Sequence, residues 1–201
     1  MQENNLYAKR MRTTYQKIYQ DRYDFHPKLI EYEKKKIEKN IKEMALKISD
    51  LKNLTMLNMG TGIESFIFHE LGTKKIYHYD ISDIPVNNLN RLNKTDSRYH
   101  NLYSKKMDMV KDKLSVPEGI DLVYLIGVVH HFSDPKKGLD NIFPNINKGA
   151  KIFIRNYRSG SLIYFTAELI RRFITHECLN NFAEVFIERF GKVPFNHAEW
   201  T

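Results

Sequence analysis

Gly60 and Gly62 stand one residue apart, with Thr61 between them, after an apolar run over residues 54–59 and before a helix-patterned stretch that begins at Glu64. Glycines at such a turn lack side chains that would keep a ligand away, so backbone N–H groups can meet it at the amino end of the next helix. Asp80, followed by Ile81, lies twenty positions beyond Gly60, after a second apolar run. At the end of a second strand a carboxylate is in place to accept both hydroxyls of an adenosine ribose. Turn and acid together point to an adenosyl or nucleotide cofactor.

Two cofactors fit this pair. The stretch GTGIES reads as a dinucleotide fingerprint with Ser65 in place of the third glycine, a change that crowds helix against strand. It also reads as a turn for S-adenosylmethionine, which has no pyrophosphate and makes less demand on that glycine. Glu64 favours the second reading, because a carboxylate repels a pyrophosphate but tolerates a sulfonium-bearing zwitterion. Further along, Asp108 follows a third apolar stretch, where it could accept from an adenine amino group. The run GIDLVYLIGVVHHFSDP, residues 119–135, then supplies a fourth strand, a short turn carrying His130 and His131, and a helix capped by Ser133 or Asp134 with Pro135 at its first position.

The elements that position these residues follow from periodicity. Ile30, Ile37, Ile41, Met44 and Ile48 line one face of a helix expected over about residues 27–49, and Tyr15, Tyr19 and Tyr23 mark a shorter, aromatic-faced helix before it. Strands are predicted at 54–59, 75–79, 102–107, 121–126 and 150–155, with helices at 64–71, 86–92 and 135–146, the last interrupted by Pro144. Such alternation makes an α/β, Rossmann-like open sheet, mainly parallel, of five strands in the order 3-2-1-4-5. After residue 155 the stretches 161–175 and 179–190 read as amphipathic helices forming a C-terminal cap. Three segments are expected: N-terminal helices at 1–53, a cofactor-binding core at 54–155, and a cap or substrate segment at 156–201.

From about residue 54 to 155, the succession of G-x-G, Asp, Asp, DLV-x4-V-x-HHF-x-DP and KGAKIFI resembles the class I S-adenosylmethionine-dependent methyltransferases, particularly their small-molecule branch. The resemblance implies that Gly60 and Gly62 run beside the amino-acid part of the cofactor. Asp80 would bind the ribose, Asp108 and the Met109 backbone the adenine, while Ile126 and Gly127 would border the methionine moiety. Asn58, Thr61 and Ile81 complete the expected cofactor-binding set. Phe132 and His131 would sit near the pocket mouth. Two departures from the family stand out. Its members commonly carry an acid where this chain has Asn58, and their sheet ends in an antiparallel strand pair for which the remaining 46 residues, mostly helix-patterned, leave no convincing candidate.

Methyl transfer from a sulfonium is an in-line displacement, so proximity, orientation and removal of a proton are what an enzyme contributes. His131 and His130 are the candidate bases, and Arg155, Asn156 and Tyr157 are the candidate acceptor-binding residues. No metal site is expected. Cys178, the single cysteine, excludes an internal disulfide and a Cys-rich zinc site, and reads as a buried helix residue. The formal charge of +8 owes much to lysines interleaved with glutamates in the first fifty residues, which marks a solvated helix face more than a nucleic-acid contact. No apolar signal opens the chain and no run approaches the roughly 18 apolar residues of a membrane span, so a cytoplasmic protein is expected. The reading is transfer of a methyl group to a small molecule. The alternatives are a catalytically silent cofactor-binding or interaction module, an RNA methyltransferase and a dehydrogenase; a homodimer through the C-terminal helices is a further expectation.

Overall fold

The structure, a computed structural model, describes residues 27–156. The aromatic-faced helix at Tyr15, Tyr19 and Tyr23, Tyr157, both C-terminal helices and Cys178 lie outside the described residues. Helix α1 (Pro27–Glu43) turns Leu29, Ile37 and Ile41 into the core. It stops earlier than the apolar pattern suggests. Ala45 takes a left-handed conformation at φ 55°, and the Leu46 N–H reaches the Ile41 carbonyl at 3.0 Å, a closing motif usually built on glycine. Ile48 consequently falls in the following turn and is 43% exposed, not part of the buried face.

The remaining elements alternate: β1 (Thr55–Met59), α2 (Ile63–Glu70), β2 (Lys75–Asp80), α3 (Asp83–Thr95), β3 (Leu102–Lys106), β4 (Ile120–Ile126), α4 (Pro135–Ile142) and β5 (Ile146–Arg155). All neighbours are parallel and the order is β3-β2-β1-β4-β5, as the alternation predicts. The order reverses between β1 and β4, which opens a crevice outside their carboxyl ends. One boundary differs clearly from the sequence reading. The helix expected to reach residue 146 ends at Ile142, Pro144 lies in a short turn, and the strand expected from residue 150 starts at Ile146. Between Ile120 and Leu122 the β4–β5 register jumps from Ile146 to Lys151, so the strand accommodates its extra residues as a bulge.

The two faces of the sheet carry separate cores. On one, Met56, Ile76, Leu122 and Tyr124 pack against α1, α2 and Leu89 of α3. On the other, Leu57, Tyr77, Val123 and Leu125 meet Ile142 of α4 and an irregular segment contributing Met107, Met109, Leu114 and Val116. Tyr124 fastens α1 to the sheet: its hydroxyl accepts from Asn40 Nδ2 at 2.7 Å, while its ring stacks on Phe153 and meets Phe68 edge-on. Among the described residues, no helix is long and apolar enough to cross a membrane.

Candidate cofactor site

The glycine turn joins β1 to α2. Gly60 has φ 117° and Gly62 φ 84°, values that L side chains rarely adopt, so the glycines are required by backbone conformation. Space adds a second constraint at Gly62, where a Cβ would lie 3.1 Å from Leu89 Cδ1. A Cβ on Gly60 would meet Val128 Cγ2 at 3.5 Å, which places the turn against the exit of β4. Thr61 Oγ1 accepts from the Ile63 N–H at 3.3 Å and donates to Glu64 Oε2 at 3.0 Å. Burial, reinforced by the Glu33 carboxylate on α1, pushes the Glu64 carboxyl up to about 7.

Asp80 ends β2 and is buried. The Ser82 N–H donates to its Oδ1 at 2.7 Å, and the Gly60 N–H also bonds the carboxylate. The predicted juxtaposition of glycine turn and acid is therefore met in space. Burial outweighs both hydrogen bonds and raises Asp80 to about 7. Ile81, next in the chain, is only partly buried, and Ser82 caps α3 by accepting from the Ile84 N–H.

Asn58 is directed into the protein. Its Nδ2 donates to the Tyr124 carbonyl across the β1–β4 pair at 3.0 Å, and its Oδ1 accepts from Ser65 Oγ at 2.9 Å. The serine in the third-glycine position thus has a buried partner rather than a mere steric cost. Asp108 follows β3 beside Asp80, since the Met107 N–H reaches the Asp80 carbonyl at 2.8 Å. Its Oδ1 accepts from the Val110 N–H at 3.1 Å, and its Oδ2 is buried without a hydrogen bond among the described residues, in an ion pair 3.3 Å from Lys111 Nζ. Met109 packs into the second core and its carbonyl accepts from Asn141 Nδ2.

Ile126 and Gly127 close β4, where the Gly127 N–H bonds the Arg155 carbonyl at 2.8 Å. His130 and His131 follow on a single turn with ring centroids 3.9 Å apart. Burial and the neighbouring imidazole depress His131 to about 3. Asn156 lies beside His130, Oδ1 3.5 Å from Nδ1. Arg155 pairs with Glu43 at 2.8 Å, so α1 already holds the guanidinium expected to bind an acceptor. Asp134, of the two caps considered, begins α4 by accepting from the Lys137 N–H. Phe132 packs against that helix: a Cβ on Gly138 would fall 2.4 Å from its ring.

The sequence reading overlooked His78. Fully buried on β2, it contacts the Gly60 carbonyl through Nε2 at 3.0 Å and Ser104 Oγ through Nδ1 at 2.8 Å. The only advance signal is its place two residues before Asp80, hence on the same strand face.

No curated protein matches the chain. Among solved structures, the StiE O-MT (residues 942–1257 of that protein) aligns at 18% identity with TM-score 0.51, covering 69% of this chain and 50% of that one. An S-adenosylmethionine-dependent methyltransferase from Aquifex aeolicus aligns at 25% identity with TM-score 0.49, covering 62% of this chain and 65% of that one. The chain spans about half the length of most such structures. A family model described as a methyltransferase domain matches residues 29–189. That match takes in all five strands, the glycine turn and the acid at the end of β2, and the chain belongs to this methyltransferase-domain family.

Proposed function

We propose that the protein transfers a methyl group from S-adenosylmethionine to a small-molecule acceptor. The observation carrying this reading is the meeting of the Gly60 turn with the Asp80 carboxylate at the switch point of the sheet. The residues suit that cofactor. Asp80 retains acceptor capacity for ribose hydroxyls beyond its two backbone bonds, and Glu64 at the head of α2 suits a zwitterion better than a pyrophosphate. Gly60, Thr61 and Gly62 would line the amino-acid part, Asp80 and Ile81 the ribose, Asp108 and Met109 the adenine, and Ile126 and Gly127 the methionine chain. Asn58 would act one layer below them.

When bound, S-adenosylmethionine supplies an electrophilic methyl group on a sulfonium leaving group. The chain's contribution is alignment and acceptance of the acceptor's proton. Of the two histidines, His130 is the better base, because His131 is too weakly basic to hold a proton near neutrality. Arg155, Asn156 and Tyr157 are assigned to the acceptor side, Arg155 acting through its pairing with Glu43.

Calorimetry with S-adenosylmethionine, S-adenosylhomocysteine and NAD in parallel tests the reading. Both adenosyl compounds should bind and NAD should not; binding of NAD alone would overturn it. A silent binding module is the second reading, favoured by the missing charge at Asn58. Cofactor binding with no methyl transfer to any of a panel of small oxygen, nitrogen and sulfur nucleophiles would select it.

A further inference from the structure

A polar row crosses the sheet one level beneath the candidate site. Asn58, His78 and Ser104 are register partners on β1, β2 and β3, and the next level up holds Asp80 at the end of β2. In the row, His78 alone bonds the glycine turn. Its ring is enclosed, and burial lowers its pKa to about 4, so it is neutral at physiological pH. A neutral imidazole donates from one nitrogen and accepts at the other. The Gly60 carbonyl can only accept, which places the hydrogen on Nε2 and leaves Nδ1 to accept from the Ser104 hydroxyl.

This bond has a consequence for the turn. Gly60 is held from both sides, its N–H by Asp80 and its carbonyl by His78. The carbonyl shares a planar trans peptide with the Thr61 N–H, which must therefore point away from the imidazole. We propose that His78 is a positioning residue, which sets the Gly60–Thr61 peptide so that the Thr61 N–H faces the cofactor, without itself touching that ligand. The inference rests on the S-adenosylmethionine reading of the crevice.

The test separates the two nitrogens. Glutamine places its amide nitrogen near the position of Nε2, and asparagine places its polar atoms near that of Nδ1. His78→Gln, His78→Asn and His78→Phe are compared by urea unfolding, by calorimetry with S-adenosylhomocysteine, and by ¹⁵N NMR of the ligand-free protein. The wild-type ring should show the Nε2–H tautomer. Affinity should fall roughly tenfold or more in His78→Asn and His78→Phe but stay within about threefold in His78→Gln, with the Thr61 amide resonance displaced only in the first two. Affinities that follow unfolding stability across the three variants, equal losses in His78→Gln and His78→Asn, or an Nδ1–H tautomer would overturn the inference. Wild-type protein that binds no adenosyl compound would instead bring down the cofactor reading, and the Thr61 resonances would still report whether His78 sets the turn.

Discussion

At the ends of β1 and β2, the side chains of Asn58, His78 and Asp80 are buried and each bonds a backbone group; at the ends of β4 and β5, His130 is partly exposed and Arg155 and Asn156 are exposed, and these bond other side chains. The first region is a wall whose hydrogen-bond geometry is set before any ligand arrives. Replacing one of its members leaves a buried partner unsatisfied, whereas a side chain at the second can swing into water at little cost. Division of this kind suits the proposed function, in which one cofactor stays constant while the acceptor varies.

The sharpest way to break the comparison is Asp80→Ala. It should weaken S-adenosylmethionine binding by about 1.5–3 kcal/mol, measured by calorimetry on protein shown to be folded. Unchanged affinity would remove the wall from cofactor binding altogether.

Asn58→Asp should destabilise the fold by about 2 kcal/mol in urea, because a carboxylate oxygen would replace the amide that donates to the Tyr124 carbonyl. On sequence grounds alone, this substitution restores the family's usual acid and should tighten cofactor binding. The inward hydrogen bonds reverse that expectation, and a stable Asn58→Asp protein with higher affinity would show that position 58 turns toward the ligand.

The pH dependence of binding comes next. Asp80 titrates near 7, and its ionised form is the better acceptor for ribose hydroxyls, so affinity should rise with pH through that value by up to about tenfold per unit. Stability should move oppositely. Asp80 and Glu64 have raised folded-state values, so the stabilisation they contribute at low pH is lost as pH rises through about 7. His78 is depressed to about 4 and His131 to about 3, and their contributions, present above the ordinary histidine value, are lost as pH falls toward those points, offsetting the gain from the two carboxyls below about 6.5. Urea unfolding should therefore show stability rising from pH 8 to 6.5 and levelling off below. A monotonic increase down to pH 4 would contradict the enclosure of these two imidazoles.

The smallest effect is expected at the other end of the sheet. Arg155→Ala removes a half-exposed ion pair with Glu43 and should cost under about 1 kcal/mol of stability. A loss several times larger would show that the β5 end of the sheet is as rigid as the ends of β1 and β2.

The sheet order, the glycine turn and the acid at the end of β2 were legible because each is a local pattern: strands alternate with helices, and two glycines break the chain between them. The end of α1 was not, since Ala45 adopts a conformation that glycine usually signals. The start of β5 was hidden by Pro144 and by a bulge whose register only β4 imposes.

What the sequence determined by itself was therefore the kind of crevice and the two groups at its mouth, because periodicity and turn chemistry act within a few residues of chain. Tertiary structure decided which way Asn58 faces, that Arg155 is held by Glu43, and that His78 supports Gly60. These pairings join residues 66, 112 and 18 positions apart, and no local pattern specifies them. They exist because parallel pairing brings strand ends side by side in one register, and because burial obliges each enclosed polar group to find a partner there.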